Sequence, residues 1–188
     1  MTDKLDDIIA GCTAGKRQSQ EELYRMLSPK MYAVCLQYAS DADEASDFLQ
    51  EGFIRVFTNI KSYRGEGSFE GWVRKIIVNT ALQFIRNKRR LYVVNEEAIE
   101  ENFSYQMPGI YYELEAEDLL RMIKELPLNQ RIVFNLYAIE GYNHAEIESM
   151  TGMPENTSKS HLHRARKALK KMLDRNIPYG SKKMRKNV

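Results

Sequence analysis

Between residues 41 and 60 the apolar side chains Ala45, Phe48, Leu49, Phe53, Val56 and Ile60 recur at helical spacing. That spacing sets them on one face of a helix, and similar stripes follow one another along the chain with no sustained strand-like alternation. The periodicity restricts the chain to an all-α fold. Asp41, followed by Glu44, marks the start of this helix, and its other face carries Asp43, Glu44, Asp47, Gln50, Glu51 and Arg55. A shorter stripe of Leu5, Ile8, Ile9 and Cys12 precedes it. Ser19, Glu22 and Leu23 read as a capping box that opens a helix with Leu23, Met26 and Leu27; past Pro29 the pattern resumes in Met31, Val34, Cys35 and Tyr38.

The segment KSYRGEGSFEG breaks the periodicity with glycines and reads as a loop. A helix from about Phe69 to Arg90 follows, with Trp72, Val73, Ile76, Ile77, Thr80, Phe84 and Ile85 as its apolar stripe. Arg74, Asn79, Gln83, Arg86, Asn87 and Arg90 lie largely away from that stripe. These helices suffice for a small N-terminal bundle over 1–90. Over 91–112 the periodicity weakens, acids accumulate and Pro108-Gly109 interrupts, which reads as an acidic flexible linker. A second helical unit is expected over 113–175, with Leu119, Leu120, Ile123 and Leu126 on one helix. Ile132, Val133, Leu136, Tyr137 and Ile139 fall on the next, which ends at Gly141. The basic tail 176–188 is expected to be disordered.

Charge gains meaning once it is located. The net charge is only +2, but Trp72 to Arg90 carries Arg74, Lys75, Arg86, Lys88, Arg89 and Arg90 with no acid. From Glu155 onward only Glu155 and Asp174 interrupt a run of lysines and arginines, whereas the linker is acidic. Such blocks fit a protein that touches a polyanion at two places. No stretch approaches the roughly eighteen apolar residues of a membrane span, and the N-terminus carries acids where a signal peptide would be basic. Cys12 and Cys35 sit among apolar residues and read as buried thiols.

The stretch YNHAEIESMTGMPENTSKSHLHRARKALKK has the plan of a helix-turn-helix. Asn143 with Glu146 caps a short helix that buries Ile147 and Met150. Gly152 supplies the left-handed residue of a tight corner, and Pro154 suits the first turn of the next helix. There Leu162, Ala165 and Leu169 face inward. Asn156, Thr157, Lys159, Ser160, His163, Arg164 and Lys167 are left to meet base edges and phosphates.

With both ends of the chain in view, DADEASDFLQEGFIRVFTNIKSYRGEGSFEGWVRKIIVNTALQFIRNKRR resembles the second conserved region of bacterial RNA polymerase sigma factors. LPLNQRIVFNLYAIEGYNHAEIESMTGMPENTSKSHLHRARKAL resembles their fourth region. Two such regions and a short linker resemble the extracytoplasmic-function class of the sigma-70 family. The resemblance implies core RNA polymerase as partner, through the clamp helices of its largest subunit and its flap region, together with promoter DNA and an anti-sigma factor. It implies a cytoplasmic protein with no direct membrane insertion, no cofactor and no catalysis of its own.

By position, the resemblance gives Asp47, Gln50, Glu51 and Arg55 the contacts to core polymerase, with Phe53 and Val56 nearby in the packing. It gives the -10 element and its melting to Tyr63, Arg64, Ser68, Phe69, Arg74, Lys75, Asn79, Gln83, Arg86, Arg89 and Arg90. Single strands need apolar or aromatic surfaces for bases and cations for the backbone. Asn79 and Gln83 suit base edges, and Arg86 to Arg90 suit phosphates. Trp72 fits a base-stacking platform or the core, and its place in the Phe69-Trp72-Ile76 stripe favours the core. Glu155, Asn156, Thr157, Lys159, Ser160, His161, His163, Arg164, Arg166 and Lys167 would read the -35 element. The acids of Glu96 to Asp118 would occupy the polymerase cleft, or act as a solvated spacer.

Two residues depart from the family pattern. Glu148 stands where a small residue is common and Ser158 where a β-branched apolar residue is frequent. Either a Glu148–Ser158 hydrogen bond replaces the apolar contact, or the angle between the two helices is altered. A free-standing helix-turn-helix repressor or activator is the nearest rival function, and it would need a dimer surface or ligand pocket in the N-terminal half. Enzymatic readings are weaker, because His161 and His163 point in different directions on a helix and supply no ligand set.

Overall fold

In a computed structural model, the described residues are 2–92 and 114–176, and among them every regular element is a helix. The chain divides into two compact units, Met1–Ala98 and Ile99–Val188. The expected linker falls outside the described residues except for Leu91 and Tyr92, which extend a helix. The tail is likewise outside them except for Asn176.

The first unit comprises α1 (Thr2–Thr13), α2 (Arg17–Tyr38), α3 (Ala42–Asn59), a 3-10 turn at Ile60–Ser62 and α4 (Phe69–Tyr92). Asp41 caps α3 by accepting from the Glu44 N–H at 2.7 Å, and Ala45, Phe48, Leu49, Phe53, Val56 and Ile60 are all buried. The expected capping box at Ser19 does not form. Gly15, at φ 73°, turns the chain at the end of α1, so α2 already starts at Arg17. Ser19 therefore lies inside the helix, packed so closely over Gly11 that a Cβ there would collide with it, and Glu22 pairs with Lys4 instead.

Pro29 does not divide α2 either. It sits on the exposed side, while Leu23, Leu27, Met31, Val34, Cys35 and Tyr38 form one buried stripe across it. Met26, expected in the stripe, is exposed. The α4 stripe is broader than expected because this helix packs against both α2 and α3. Val78, Ala81 and Leu82 are buried along with Val73, Ile77, Thr80 and Ile85, whereas Phe84 reaches the surface and Ile76 is half-buried.

The second unit comprises α5 (Leu114–Lys124), α6 (Leu128–Phe134) running into a π turn at Asn135–Ile139, α7 (His144–Thr151) and α8 (Glu155–Asn176). Its core holds Met122 and Ile123 of α5, and Leu126 in the bend just after it, against Ala165 and Leu169 of α8. Leu119 and Leu120, expected inside, are exposed, because α5 turns its Met122–Ile123 side to α8. The π turn, closed by the Glu140 N–H on the Asn135 carbonyl at 2.9 Å, adds a residue to the helical repeat. That shift turns Ile139 outward and leaves Tyr137 half-exposed, while Ile132, Val133 and Leu136 stay buried.

Candidate nucleic-acid and partner surfaces

In the first unit, Asp47 and Gln50 are exposed on α3, with Glu51 and Arg55 half-buried beside them. Phe53 and Val56 are buried and support this face from beneath. The Glu51 carboxylate accepts from Arg55 Nε at 2.8 Å, and Arg55 Nη1 donates to Gln83 Oε1 at 2.5 Å. Arg55 on α3 and Gln83 on α4 were expected on different surfaces, and the fold joins them. Asn79 and Arg86 are exposed on either side of Gln83 along α4, and Lys75 is exposed one turn earlier. Arg74 is half-buried. Arg89 and Arg90 belong to α4, but their side chains lie outside the described residues.

The loop ahead of α4 is closed on itself. Tyr63 donates its hydroxyl to the Gly67 carbonyl at 2.9 Å, and Gly65 and Gly67 both take φ 77°. Ser68 accepts from the Gly71 N–H at 3.1 Å and so caps α4. Tyr63, Phe69 and Trp72 form a three-ring cluster with centroids 5.0 to 5.7 Å apart. Phe69 is buried in it, while Tyr63 and Trp72 are half-buried. Trp72 thus belongs to the packing yet keeps part of its surface exposed.

In the second unit the helix-turn-helix forms as expected at its corner. Asn143 and Glu146 make a reciprocal cap on α7, and Gly152 adopts φ 75°. Ile147 is fully buried and Met150 half-buried. The Glu148–Ser158 bond proposed for the corner is absent. Glu148 instead accepts from the Glu155 N–H at 3.2 Å, so its carboxylate takes up an orphan donor at the start of α8. Ser158 is fully buried, and its hydroxyl lies 2.9 Å from His144 Nδ1, with the direction of the bond set by the imidazole tautomer. His144 stacks on Tyr137 at 4.7 Å, and the Arg166 guanidinium lies over the same ring at 5.6 Å.

Leu162, Ala165 and Leu169 are buried along α8. Asn156, Thr157, Lys159, Ser160, His163, Arg164, Arg166 and Lys167 are exposed, and Glu155 and His161 are half-buried. Lys159 pairs with Glu155 at 2.9 Å, and Ser160 donates to the Asn156 carbonyl. The outward face of α8 therefore carries several donors and cations.

The titratable groups inside the two units have structural explanations. Burial pushes the Cys35 thiol up to about 12, and burial also raises Cys12, so both remain protonated at neutral pH. Burial, and then the Arg131 charge, hold Lys124 below the usual lysine value. Arg131 itself is buried and reaches the carbonyl of Lys124, the last residue of α5. Among the described residues there is no cluster of His, Cys, Asp and Glu that could hold a metal ion, and no helix long and apolar enough to cross a membrane.

Sequence reasoning missed the two ties that organise these surfaces, Glu51–Arg55–Gln83 and Tyr137–His144–Ser158. The first had a usable signal in the Glu-x-x-x-Arg spacing of α3. The second depends on the π turn, which has no sequence mark here.

Two family models match the chain: Sigma-70 region 2 over residues 23–91 and Sigma-70 region 4 over residues 116–169. The ECF RNA polymerase sigma factor SigE of Mycolicibacterium smegmatis is 31% identical over 163 residues, covering 82% of this chain and 62% of that protein. This chain thus spans under two thirds of the length of that relative. The ECF RNA polymerase sigma factor SigM of Bacillus subtilis is 27% identical over 158 residues, covering 84% of this chain and 96% of its own length. Among solved structures, the sigma factor RpoE from Bartonella quintana, crystallised with the anti-sigma factor NepR, shares the fold at a TM-score of 0.56 and 21% identity. That match covers 84% of this chain and 98% of the other. With regions 2 and 4 matched in order on two helical units, and ECF relatives aligned along most of its length, the chain belongs to the extracytoplasmic-function class of the sigma-70 family.

Proposed function

We propose that this chain binds core RNA polymerase, brings it to specific promoters and helps open the DNA. The face of α3 formed by Asp47, Gln50, Glu51 and Arg55 docks on the clamp helices of the largest subunit, and the second unit engages the flap region. Helix α8 reads the -35 element as duplex from Glu155 to Lys167. The loop with Tyr63, Arg64, Ser68 and Phe69, and the α4 face from Arg74 to Arg90, take the -10 element and stabilise its separated strands. The protein acts in the cytoplasm, where polymerase and promoter are. An anti-sigma factor holds it inactive, as NepR is bound to RpoE in the Bartonella structure.

The observation that carries this reading is the exposed cationic and amide-bearing face on each unit, Asn79 to Arg86 in the first and Asn156 to Lys167 in the second. A repressor needs only one such reader, whereas a factor that both locates and opens a promoter needs two. Run-off transcription with purified core polymerase on a promoter library tests it, together with co-elution of the chain with core. The expected result is initiation from a subset of templates that requires the chain. No initiation on any template, with tight duplex binding by the chain alone, would favour the repressor reading.

A further inference from the structure

We infer that Arg55 is a positioning residue that fixes the amide of Gln83 as a hydrogen-bond donor toward promoter bases, making Gln83 select keto bases over amino bases at one position of the melted element. This rests on the -10 role proposed for α4 and adds the chemistry by which one of its side chains discriminates.

Arginine has only donors, so the group that faces Arg55 Nη1 at 2.5 Å must be the Gln83 oxygen and not its NH2. The orientation of this amide is therefore dictated by chemistry. Arg55 is itself held from behind, since its Nε donates to Glu51 at 2.8 Å and both side chains are only about a third exposed. A charge-assisted bond to a guanidinium braced in this way is stronger than one between neutral groups. The Gln83 NH2 is left with two donors, and among the described residues no side chain or carbonyl accepts from it. Gln83 shares its stripe of α4 with exposed Asn79 and exposed Arg86, the same face that carries the positive charge of this unit.

An unconstrained glutamine reads adenine with both ends of its amide, donating to N7 and accepting from the N6 amino group. With its oxygen engaged by Arg55, Gln83 loses much of the accepting arm. The donating arm suits bases that present a carbonyl, thymine at O4 or guanine at O6. Cytosine and adenine present an amino group at the equivalent position and find no acceptor of comparable strength. Glu51 and Arg55 thus set the hydrogen-bonding polarity of a residue that belongs to another helix.

The test uses the full chain with core polymerase and a promoter library randomised through the -10 region. Transcripts are sequenced so that base preferences are read as ratios within one reaction. A weaker hold of a variant on core then changes yield and cancels from the ratio. The wild type should favour thymine or guanine at one position. Arg55→Met, which frees the Gln83 oxygen, should shift that position toward adenine by about fivefold or more. Gln83→Glu keeps a partner for Arg55 but has acceptors only, so it should move the same position toward cytosine or adenine, while Arg55→Lys should retain most of the keto preference. Wild-type profiles from both Arg55→Met and Gln83→Glu would overturn the inference. A wild type that starts no transcripts would instead overturn the promoter-opening reading on which it rests.

Discussion

Ser158 and His144 show how a single pair can set a helix. A hydroxyl with no exposure to solvent must find a partner, and here it finds the imidazole at the first position of α7, which is itself stacked on Tyr137. His144→Ala leaves that hydroxyl buried without its partner and should cost about 1–3 kcal/mol of stability in the second unit. A double-mutant cycle with Ser158→Ala should return a coupling of about 1 kcal/mol. The only tryptophan, Trp72, lies in the first unit. The affected transition should therefore appear in helical circular dichroism during urea unfolding and not in tryptophan fluorescence. Additive losses would mean that the two side chains do not support one another. Lys159 poses a different single-residue question, because Glu155 already holds it at 2.9 Å. Both partners are about half exposed, so the pair is weak and a phosphate can replace the carboxylate. In the assembled holoenzyme, Lys159→Ala should flatten the salt dependence of binding to the upstream element by about one unit of log-log slope. An unchanged slope would place Lys159 away from phosphate. The sequence had flagged Glu148 and Ser158 as the unusual pair at the corner, and both residues are indeed employed there. Their partners were not legible, since the π turn that brings Tyr137 to His144 leaves no pattern in a helical stripe.

At the scale of elements, legibility followed how much of the signal was local. α3 and α7 begin where Asp41 and Asn143 mark them, because a cap is a short-range hydrogen bond between residues three apart. The start of α2 was misplaced because tertiary packing decided it: Ser19 lies against Gly11 of α1 and is not free to cap. The breadth of the α4 core was equally hidden, since a helix with two neighbours buries more than one stripe. Gly52 belongs to the same class, since its missing side chain makes room for Ile77 across the α3–α4 contact. Pro29 is the clearest conflict between local and tertiary preference. Its ring removes a helical N–H from the middle of α2, and the buried stripe on both sides keeps the helix whole. Pro29→Ala restores the hydrogen bond at an exposed position and should stabilise the first unit by about 1–3 kcal/mol. The measurement is the urea midpoint of Trp72 fluorescence, and a lower midpoint would mean that the proline is preferred where it stands.

For the whole molecule, the order of two helical units was legible because periodicity, a glycine-rich loop and a helix-turn-helix corner each leave local marks. Charge distribution adds a feature that neither unit explains alone: the acids between the units have opposite sign to the faces proposed to grip DNA. An acidic segment in a basic, nucleic-acid-binding channel would imitate the polyanion that the channel is built to hold, and growing RNA would have to displace it. Glu96, Glu97, Glu100 and Glu101 are the residues to change, since Asp118 sits on α5 and pairs with Arg121 at 3.4 Å. Replacing these four glutamates with glutamine preserves length and shape while removing charge. If the segment competes with RNA, the ratio of abortive to full-length transcripts should fall. The difference from wild type should also shrink as salt rises, because screening weakens the competition being removed. A ratio that matches wild type at every salt concentration would make the segment a spacer whose charge serves only to keep it in water.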